Sequence, residues 1–181
     1  MSDISPLQDS QLSSSQKETF ESVKSAMGFV PNLFRVFANS PVAVDAYLTL
    51  NSLLDKSSLD SSDKQVVLLT VSEYNRCGYC MAAHSAGADL PDGVLNALRD
   101  GASIGGHPKL EALRRFTRAA VDQRGWLDEA QVQAFFEAGY SKAQLLDVLV
   151  AVAMKTLSNY TNHMADTPLD EPLQGAAWQP D

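Results

Sequence analysis

Two cysteines and one histidine have the spacing of a thiol redox site. Cys77 and Cys80 are the only cysteines among the 181 residues, and His84 follows one helical turn later. On a helix of about 3.6 residues per turn these positions share one face, so two thiols and an imidazole converge. One thiolate can attack a substrate, the second can resolve the adduct as a disulfide, and the imidazole can handle the proton.

The helix that carries this pair is predicted to begin near Gly78 and to run through His84 to about Gly87. Free backbone N–H groups and the helix dipole favour a thiolate at such a position. Arg76 adds positive potential. His84 can accept the thiol proton of Cys80 or stabilise its thiolate as an imidazolium.

Three other interpretations of the cysteine pair stay open. Half of a zinc site is one, although the chain adds only His84, His107 and His163 and lacks a second CxxC. Two inert core thiols are another. A thioredoxin-like motif is the third, but it requires strands that the sequence does not indicate. The simplest role of His107 is that of a surface residue, and His163 is expected to cap and pack the last helix.

The elements that must position these residues are predicted to be helices only, about eight or nine, in an all-α bundle. Ser15 with Glu18 is the expected capping box of the first helix, and Ser61 or Ser62 the expected cap of the helix before the cysteines. That helix includes a β-branched centre, Val66 to Val71, whose flanks nonetheless favour a helix. The last helix is apolar around most of its circumference, which predicts burial in the core or against another subunit. The predicted helices cover residues 15–28, 31–37, 42–54, 63–74, 78–87, 93–99, 108–124, 128–139 and 141–162.

The chain is predicted to form one domain, residues 15–166, between a flexible arm over 1–14 and an extended, proline-containing tail over 167–181. A net charge of −8 argues against nucleic acid and anionic membrane surfaces as partners. No signal peptide or membrane-spanning run is evident, so we expect a cytoplasmic protein, in which a close cysteine pair is typically catalytic or redox-sensing. No metal site or cofactor is predicted. The loop from Gly101 to Gly106 does not fit a phosphate loop, because it lacks the Lys-Ser/Thr ending and a preceding strand.

The segment Val71 to His84 resembles a known family signature. Its pattern, S-x-x-N-x-C-x-Y-C-x-x-A-H, is that of the alkylhydroperoxidase D (AhpD)-like branch of the carboxymuconolactone decarboxylase family. Val30-Pro31-Asn32 upstream, and residues 159–163 and 167–169 downstream, match peroxidase-related members. The resemblance covers about residues 16–173. It implies an all-α homo-oligomer that reduces hydroperoxides with electrons from an external thiol or dithiol reductant.

The resemblance also implies roles for individual residues. Cys80 would be the peroxide-attacking thiol, Cys77 the resolving thiol and His84 part of a proton relay. The family relay includes a glutamate twelve residues before the first cysteine, where this chain has Gln65. A glutamine can hydrogen-bond, but it cannot accept a proton. Glu73 is a possible substitute in the relay or its surroundings, although a solvated charge at a helix end is the simpler expectation.

Two hypotheses of different class follow. The first is a thiol peroxidase or disulfide oxidoreductase that cycles through a Cys77–Cys80 disulfide. The second is a redox-sensing or structural member of the same family, with little turnover because Gln65 replaces the relay glutamate. A decarboxylase acting on a ring lactone is a third, weaker possibility, because that reaction does not require a redox-active cysteine pair.

Overall fold

The structure is a computed structural model that describes residues 4–180. Within that range the chain forms nine α-helices and two short 3₁₀ helices, and it contains no strand, which confirms the all-α prediction. The α-helices are α1 (Ser14–Met27), α2 (Asn32–Phe37), α3 (Pro41–Asp55), α4 (Ser61–Tyr74), α5 (Gly78–Ser85), α6 (Val94–Arg99), α7 (Pro108–Asp122), α8 (Glu129–Glu137) and α9 (Lys142–Ala165), and the 3₁₀ helices are Asp9–Gln11 and Glu171–Ala176.

Helix α4 is central and packs against α5, α6, α7 and α9. Its β-branched centre is helical and buried on all sides, so burial rather than local propensity decides its conformation. The expected serine cap is wrong, since Asp60 is the N-cap and its carboxylate accepts the backbone N–H of Asp63. A carboxylate also interacts more favourably than a hydroxyl with the positive end of the helix dipole.

The N-terminal segment packs on α2. Backbone N–H of Leu7 donates to the carbonyl of Arg35 at 3.0 Å, Asp9 forms an ion pair with Arg35 at 2.7 Å, and Leu12 is buried. Residues 7–12 are therefore attached to α2, whereas the flexibility expected of residues 1–14 stays a prediction. The capping box of α1 also lies two residues earlier than predicted, at Ser13 and Gln16, because the run of three serines offers several equivalent caps.

The C-terminal segment packs back on α5. Part of it forms the 3₁₀ helix Glu171–Ala176 instead of the extended tail that we expected. Trp178 then packs against the core, and its indole N–H donates to the carbonyl of Arg99 at 2.9 Å. The division into an arm, a domain and a tail stays a prediction, but the described ends of the chain are both attached to the bundle.

Two apolar clusters position the cysteines. The larger is built from α4, α6, α7, α8 and the first half of α9, with Phe135 stacked on Tyr140 at its centre. The smaller joins α2, α3 and α5 and includes both cysteines. In the part of the chain that the structure describes, no helix combines the length and the hydropathy needed to cross a bilayer.

Candidate functional site

The turn between α4 and α5 sets the direction of the cysteines. Arg76 has a left-handed backbone (φ 56°), which reverses the chain immediately after α4. Cys77 is the N-cap of α5, its backbone N–H donates to Ser72 at 2.9 Å, and Cys80 lies in the first helical turn. The predicted start of the helix at Gly78 is thus confirmed.

Both sulfur atoms lie within 4.0 Å of a single side-chain amide nitrogen. Nδ2 of Asn162 lies 3.2 Å from Sγ of Cys80 and 4.0 Å from Sγ of Cys77. Both cysteines are free thiols, only 1% and 2% exposed respectively. The sulfurs are therefore close together, but they lie beneath the surface rather than at the mouth of a pocket.

One face of α9 covers the cysteines with polar side chains. Lys155, Ser158, Asn159 and Asn162 are spaced at i, i+3, i+4 and i+7, and all four are buried. The thiol of Cys80 lies 3.8 Å from Oγ of Ser158. This helix face supplies hydrogen-bond donors and one ammonium group to an otherwise apolar site.

The surroundings differentiate the two thiols. Burial by itself would raise the pKa of Cys80, but hydrogen bonding by Cys77, the charge of Lys155 and the polar side chains of Ser158 and Asn159 bring that pKa well below its ordinary value. The pKa of Cys77 is raised, chiefly because its thiol hydrogen-bonds to Cys80, and further by burial and the charge on Cys80. Cys80 is therefore the thiolate of the pair and Cys77 its hydrogen-bond donor.

His84 lies on α5 beyond Cys80 and is half-buried. Burial, and then the charge of Lys155, lower the pKa of the imidazole well below its usual range, so it is a neutral proton acceptor. The ring borders a pocket of about 510 Å³ between α1 and α3. Tyr47 lines the same pocket and packs against the cluster that contains Cys80, so the pocket and the thiols meet at this side chain. Apolar groups predominate in the lining, which includes Val23, Ala26, Met27, Phe34 and Leu48.

Gln65 and Glu73, the two expected relay or supporting residues, have different surroundings. Oε1 of Gln65 on α4 is buried and accepts no hydrogen bond from the described residues. The carboxylate of Glu73 forms an ion pair with Arg118 on α7 at 2.6 Å and borders a separate cavity next to Trp178. Glu73 is thus neither the solvated charge that we expected nor a neighbour of the His84 pocket.

Tyr79, between the two cysteines, anchors α5 to the rest of the molecule. Its hydroxyl donates to Asp170 at 2.5 Å and accepts the backbone N–H of Leu33 at 3.2 Å. The carboxylate of Asp170 also accepts the N–H of Asn32, which caps α2. Gly78 is required by close approach, because a Cβ atom there would lie 2.9 Å from the carbonyl oxygen of Trp178. The C-terminal segment therefore fixes the helix that carries the thiols.

Residues 41–119 match the model of the carboxymuconolactone decarboxylase family. The match covers 79 of the 181 residues, so the likeness to that family is a property of this part of the chain. Solved structures extend the likeness to the whole bundle. A peroxidase-related protein from Ralstonia eutropha JMP134, described as an alkylhydroperoxidase AhpD core, has 22% identity and a TM-score of 0.78 over 96% of each chain. A peroxidase-related protein from Silicibacter sp. TM1040 has 18% identity and a TM-score of 0.79 over 96% of each chain.

A debrominase in complex with 2,3,4-tribromopyrrole has the same fold, with 18% identity and a TM-score of 0.79 over 97% of this chain and 96% of its own. The sequence matches no curated protein sequence at a significant level. The predicted resemblance to the AhpD-like branch is confirmed by the family match and the peroxidase-related neighbours. At these identities the solved structures establish the fold alone.

The family signature ends at His84, and the polar residues of α9 lie outside it. The sequence offered two indications of them: Asn159 and Asn162 fall within the downstream match over residues 159–163, and Lys155 is the only lysine, arginine, aspartate or glutamate between Val148 and Ala165. His163, by contrast, is exposed and stacks on Tyr160, and His107 is the N-cap residue of α7. Among residues 4–180, no group of three or more histidine, cysteine, aspartate or glutamate side chains is arranged to hold a metal ion.

Proposed function

We propose that this protein is a thiol-dependent peroxidase that reduces hydroperoxides through a reversible Cys77–Cys80 disulfide. The observation that carries the proposal is the pair of thiols around one amide nitrogen, in which Cys80 has a lowered pKa and Cys77 a raised one. A low-pKa sulfur beside a protonated one provides both the nucleophile and the resolving thiol that such a cycle requires.

The cycle balances as follows. The thiolate of Cys80 attacks the terminal oxygen of the hydroperoxide, the O–O bond breaks, and an alcohol or water leaves after taking up a proton, while the sulfur becomes a sulfenic acid. The thiol of Cys77 then attacks that sulfur and expels water to form the disulfide. Two thiol groups of an external reductant restore the dithiol and are themselves oxidised to a disulfide.

His84 and the adjoining pocket supply the remaining parts. A neutral imidazole that lines the pocket, one helical turn after Cys80, can take up and return the proton that the leaving oxygen needs. Gln65 cannot accept a proton, and the carboxylate of Glu73 is paired with Arg118. Neither residue therefore serves as a proton-accepting partner of His84. The apolar lining favours a hydroperoxide with an apolar organic group over hydrogen peroxide.

The experiment measures consumption of cumene hydroperoxide and of hydrogen peroxide with dithiothreitol as the reductant. We expect Cys80→Ser to abolish turnover. Without dithiothreitol, Cys77→Ser should stop after one equivalent of peroxide, with the sulfenic acid of Cys80 trapped by dimedone and detected by mass spectrometry. Turnover by Cys80→Ser at the rate of the parent would refute the mechanism. A tribromopyrrole assay belongs beside it, because one structural neighbour is a debrominase.

A redox sensor is the second candidate, and the burial of both thiols favours it. Side chains only 1% and 2% exposed limit access of a bulky reductant, and Gln65 cannot relay a proton. A stoichiometric peroxide pulse followed by mass spectrometry, set beside steady-state turnover, separates the two functions. Rapid formation of one disulfide without turnover would support the sensor, whereas repeated cycles would support the peroxidase.

A homo-oligomer is also part of the proposal. Helix α9 exposes Leu146, Leu149, Tyr160 and Met164, and a second copy of the chain is the partner that the family resemblance implies for them. Sedimentation equilibrium of the parent and of Leu149→Glu tests this: the parent should be larger than a monomer and the variant should dissociate.

A further inference from the structure

Lys155 is the one lysine of the described chain that is both fully buried and without a hydrogen-bond partner. Its side chain is 0% exposed, and Nζ contacts no acceptor among residues 4–180. Removing an ammonium group from water costs several kcal/mol, at an order-of-magnitude level, unless an opposite charge compensates. A lysine at such a position therefore indicates that a negative charge forms nearby.

The placement of Lys155 on α9 identifies that charge. Ser158 and Asn162, one and two turns further along the same helix face, both contact the sulfur of Cys80. Two carboxylates of the bundle are paired with other residues, Asp170 with Tyr79 and Glu73 with Arg118. The sulfur of Cys80 is thus the group on this side of the bundle that can become anionic.

We propose that Lys155 is a positioning residue that acts as the buried counter-ion of Cys80 and keeps its sulfur as a thiolate inside the α5–α9 interface. No hydrogen bond joins the two side chains among the described residues, so the interaction is Coulombic. It acts over several ångströms because the apolar interior screens charge poorly. This inference deepens the proposed function at the same site.

Ionisable groups on three helices face Cys80. In addition to Lys155 on α9, they include Cys77 and Tyr79 at the start of α5 and Tyr47 on α3. His84, on the same helix, is neutral. A thiolate at Cys80 disfavours ionisation of both tyrosines, as their raised pKa values indicate, burial being the larger cause. Lys155 is therefore the cation of this environment.

The test follows thiolate absorbance during a pH titration, which needs neither peroxide nor access of a reagent to the buried sulfur. The background is Cys77→Ser, in which Cys80 is the single thiol and the introduced serine keeps a hydroxyl donor. We expect Lys155→Met to move the titration midpoint of Cys80 upward by about one pH unit or more, an approximately tenfold loss of thiolate below the midpoint. Lys142→Met, which removes an exposed charge from the same helix, should leave the midpoint unchanged.

A midpoint that is the same in Lys155→Met and in its parent would overturn the proposal. If Lys155→Met does not fold, a second measurement decides. Cys80→Ser leaves the ammonium uncompensated, so this variant should be less stable to urea than the parent at neutral pH. The difference should shrink as the pH falls through the folded-state pKa of Cys80, because the parent then loses its thiolate. A difference independent of pH would also overturn it. Either result stands whether or not the protein consumes peroxide, so failure of this inference and failure of the proposed function are distinguishable.

Discussion

Both halves of α9 contribute buried side chains, but those of the first half are apolar and those of the second half are polar. The first half contributes Val148, Ala151 and Met154 to the large apolar cluster, whereas the second half places Lys155 and three small polar residues against the cysteines. In the second half, Nζ of Lys155, Nδ2 of Asn159 and Oδ1 of Asn162 are buried without hydrogen-bond partners among the described residues. We call these the apolar half (residues 148–154) and the polar half (residues 155–162).

This difference in polarity indicates that the apolar half stabilises the fold, whereas the polar half provides the environment of the thiols. An apolar side chain in the first half contributes to stability by leaving water. Each unpaired polar atom in the second half costs about 1 to 3 kcal/mol of desolvation. A helix that keeps such atoms in its interior loses stability there, and the compensation is a stabilised thiolate. The apolar half should therefore respond to mutation in stability, and the polar half in reactivity.

The largest expected effect concerns the apolar cluster to which the apolar half contributes, and it is tested at Phe135 on α8, the largest fully buried side chain of that cluster. Phe135 is 1% exposed and lies between Phe116 and Tyr140, with ring centroids 4.3 and 4.7 Å away. Phe135→Ala should reduce the free energy of unfolding by about 3 to 5 kcal/mol because it leaves a cavity. The midpoint of the Cys80 thiolate titration should not change in the folded variant.

Urea unfolding followed by circular dichroism measures the loss, and Phe136→Ala is the matched control. The neighbouring ring is only half-buried, so its removal should cost less. An equal loss in both variants, or a shift of the thiolate midpoint in Phe135→Ala, would contradict the separation of the two halves.

An intermediate effect is expected in the polar half. Asn162→Ala removes the amide that contacts both sulfurs, at 3.2 and 4.0 Å. Because a hydrogen bond to a charged group is worth about 1.5 to 3 kcal/mol, the thiolate fraction of Cys80 below its midpoint should fall about tenfold or more. The unfolding free energy should change less than in Phe135→Ala. Thiolate absorbance in the Cys77→Ser background measures this, with Thr161→Ala on the same helix as control. A large stability loss with unaltered ionisation would show that Asn162 is structural only.

The sequence predicted the apolar half better than the polar half, for a physical reason. Helical spacing and flanking caps identify elements that bury apolar surface, so even the β-branched Val66–Val71 segment was correctly predicted as helix. The cysteines and His84 were found because they lie within eight residues of one another. Glu73 was misjudged because its partner, Arg118, is 45 residues away and meets it only through the packing of α4 on α7.

Lys155 was missed for the same reason. A single lysine in an apolar helix is usually a surface residue whose stem covers apolar neighbours. Only the crossing of α9 over α5 reveals that this one faces inward. The spacing of Lys155, Ser158 and Asn162 on one helix face was the available signal. Polar residues at that spacing in an otherwise apolar helix predict a buried site.

The smallest expected effect concerns His84, which connects the polar half to the pocket. Burial and Lys155 lower its pKa below the ordinary 6.5, so the unfolded chain takes up a proton there before the folded chain does. Stability should therefore fall as the pH decreases below about 6.5, and His84→Gln should reduce that dependence. Thermal unfolding at pH 7.5 and at pH 5.5 measures it. His163→Gln, at an exposed histidine of α9, is the control and should retain the dependence of the parent. Equal pH dependence in His84→Gln and the parent would mean that the imidazole is not held neutral, and the ammonium of Lys155 would then not influence the pocket side of the site.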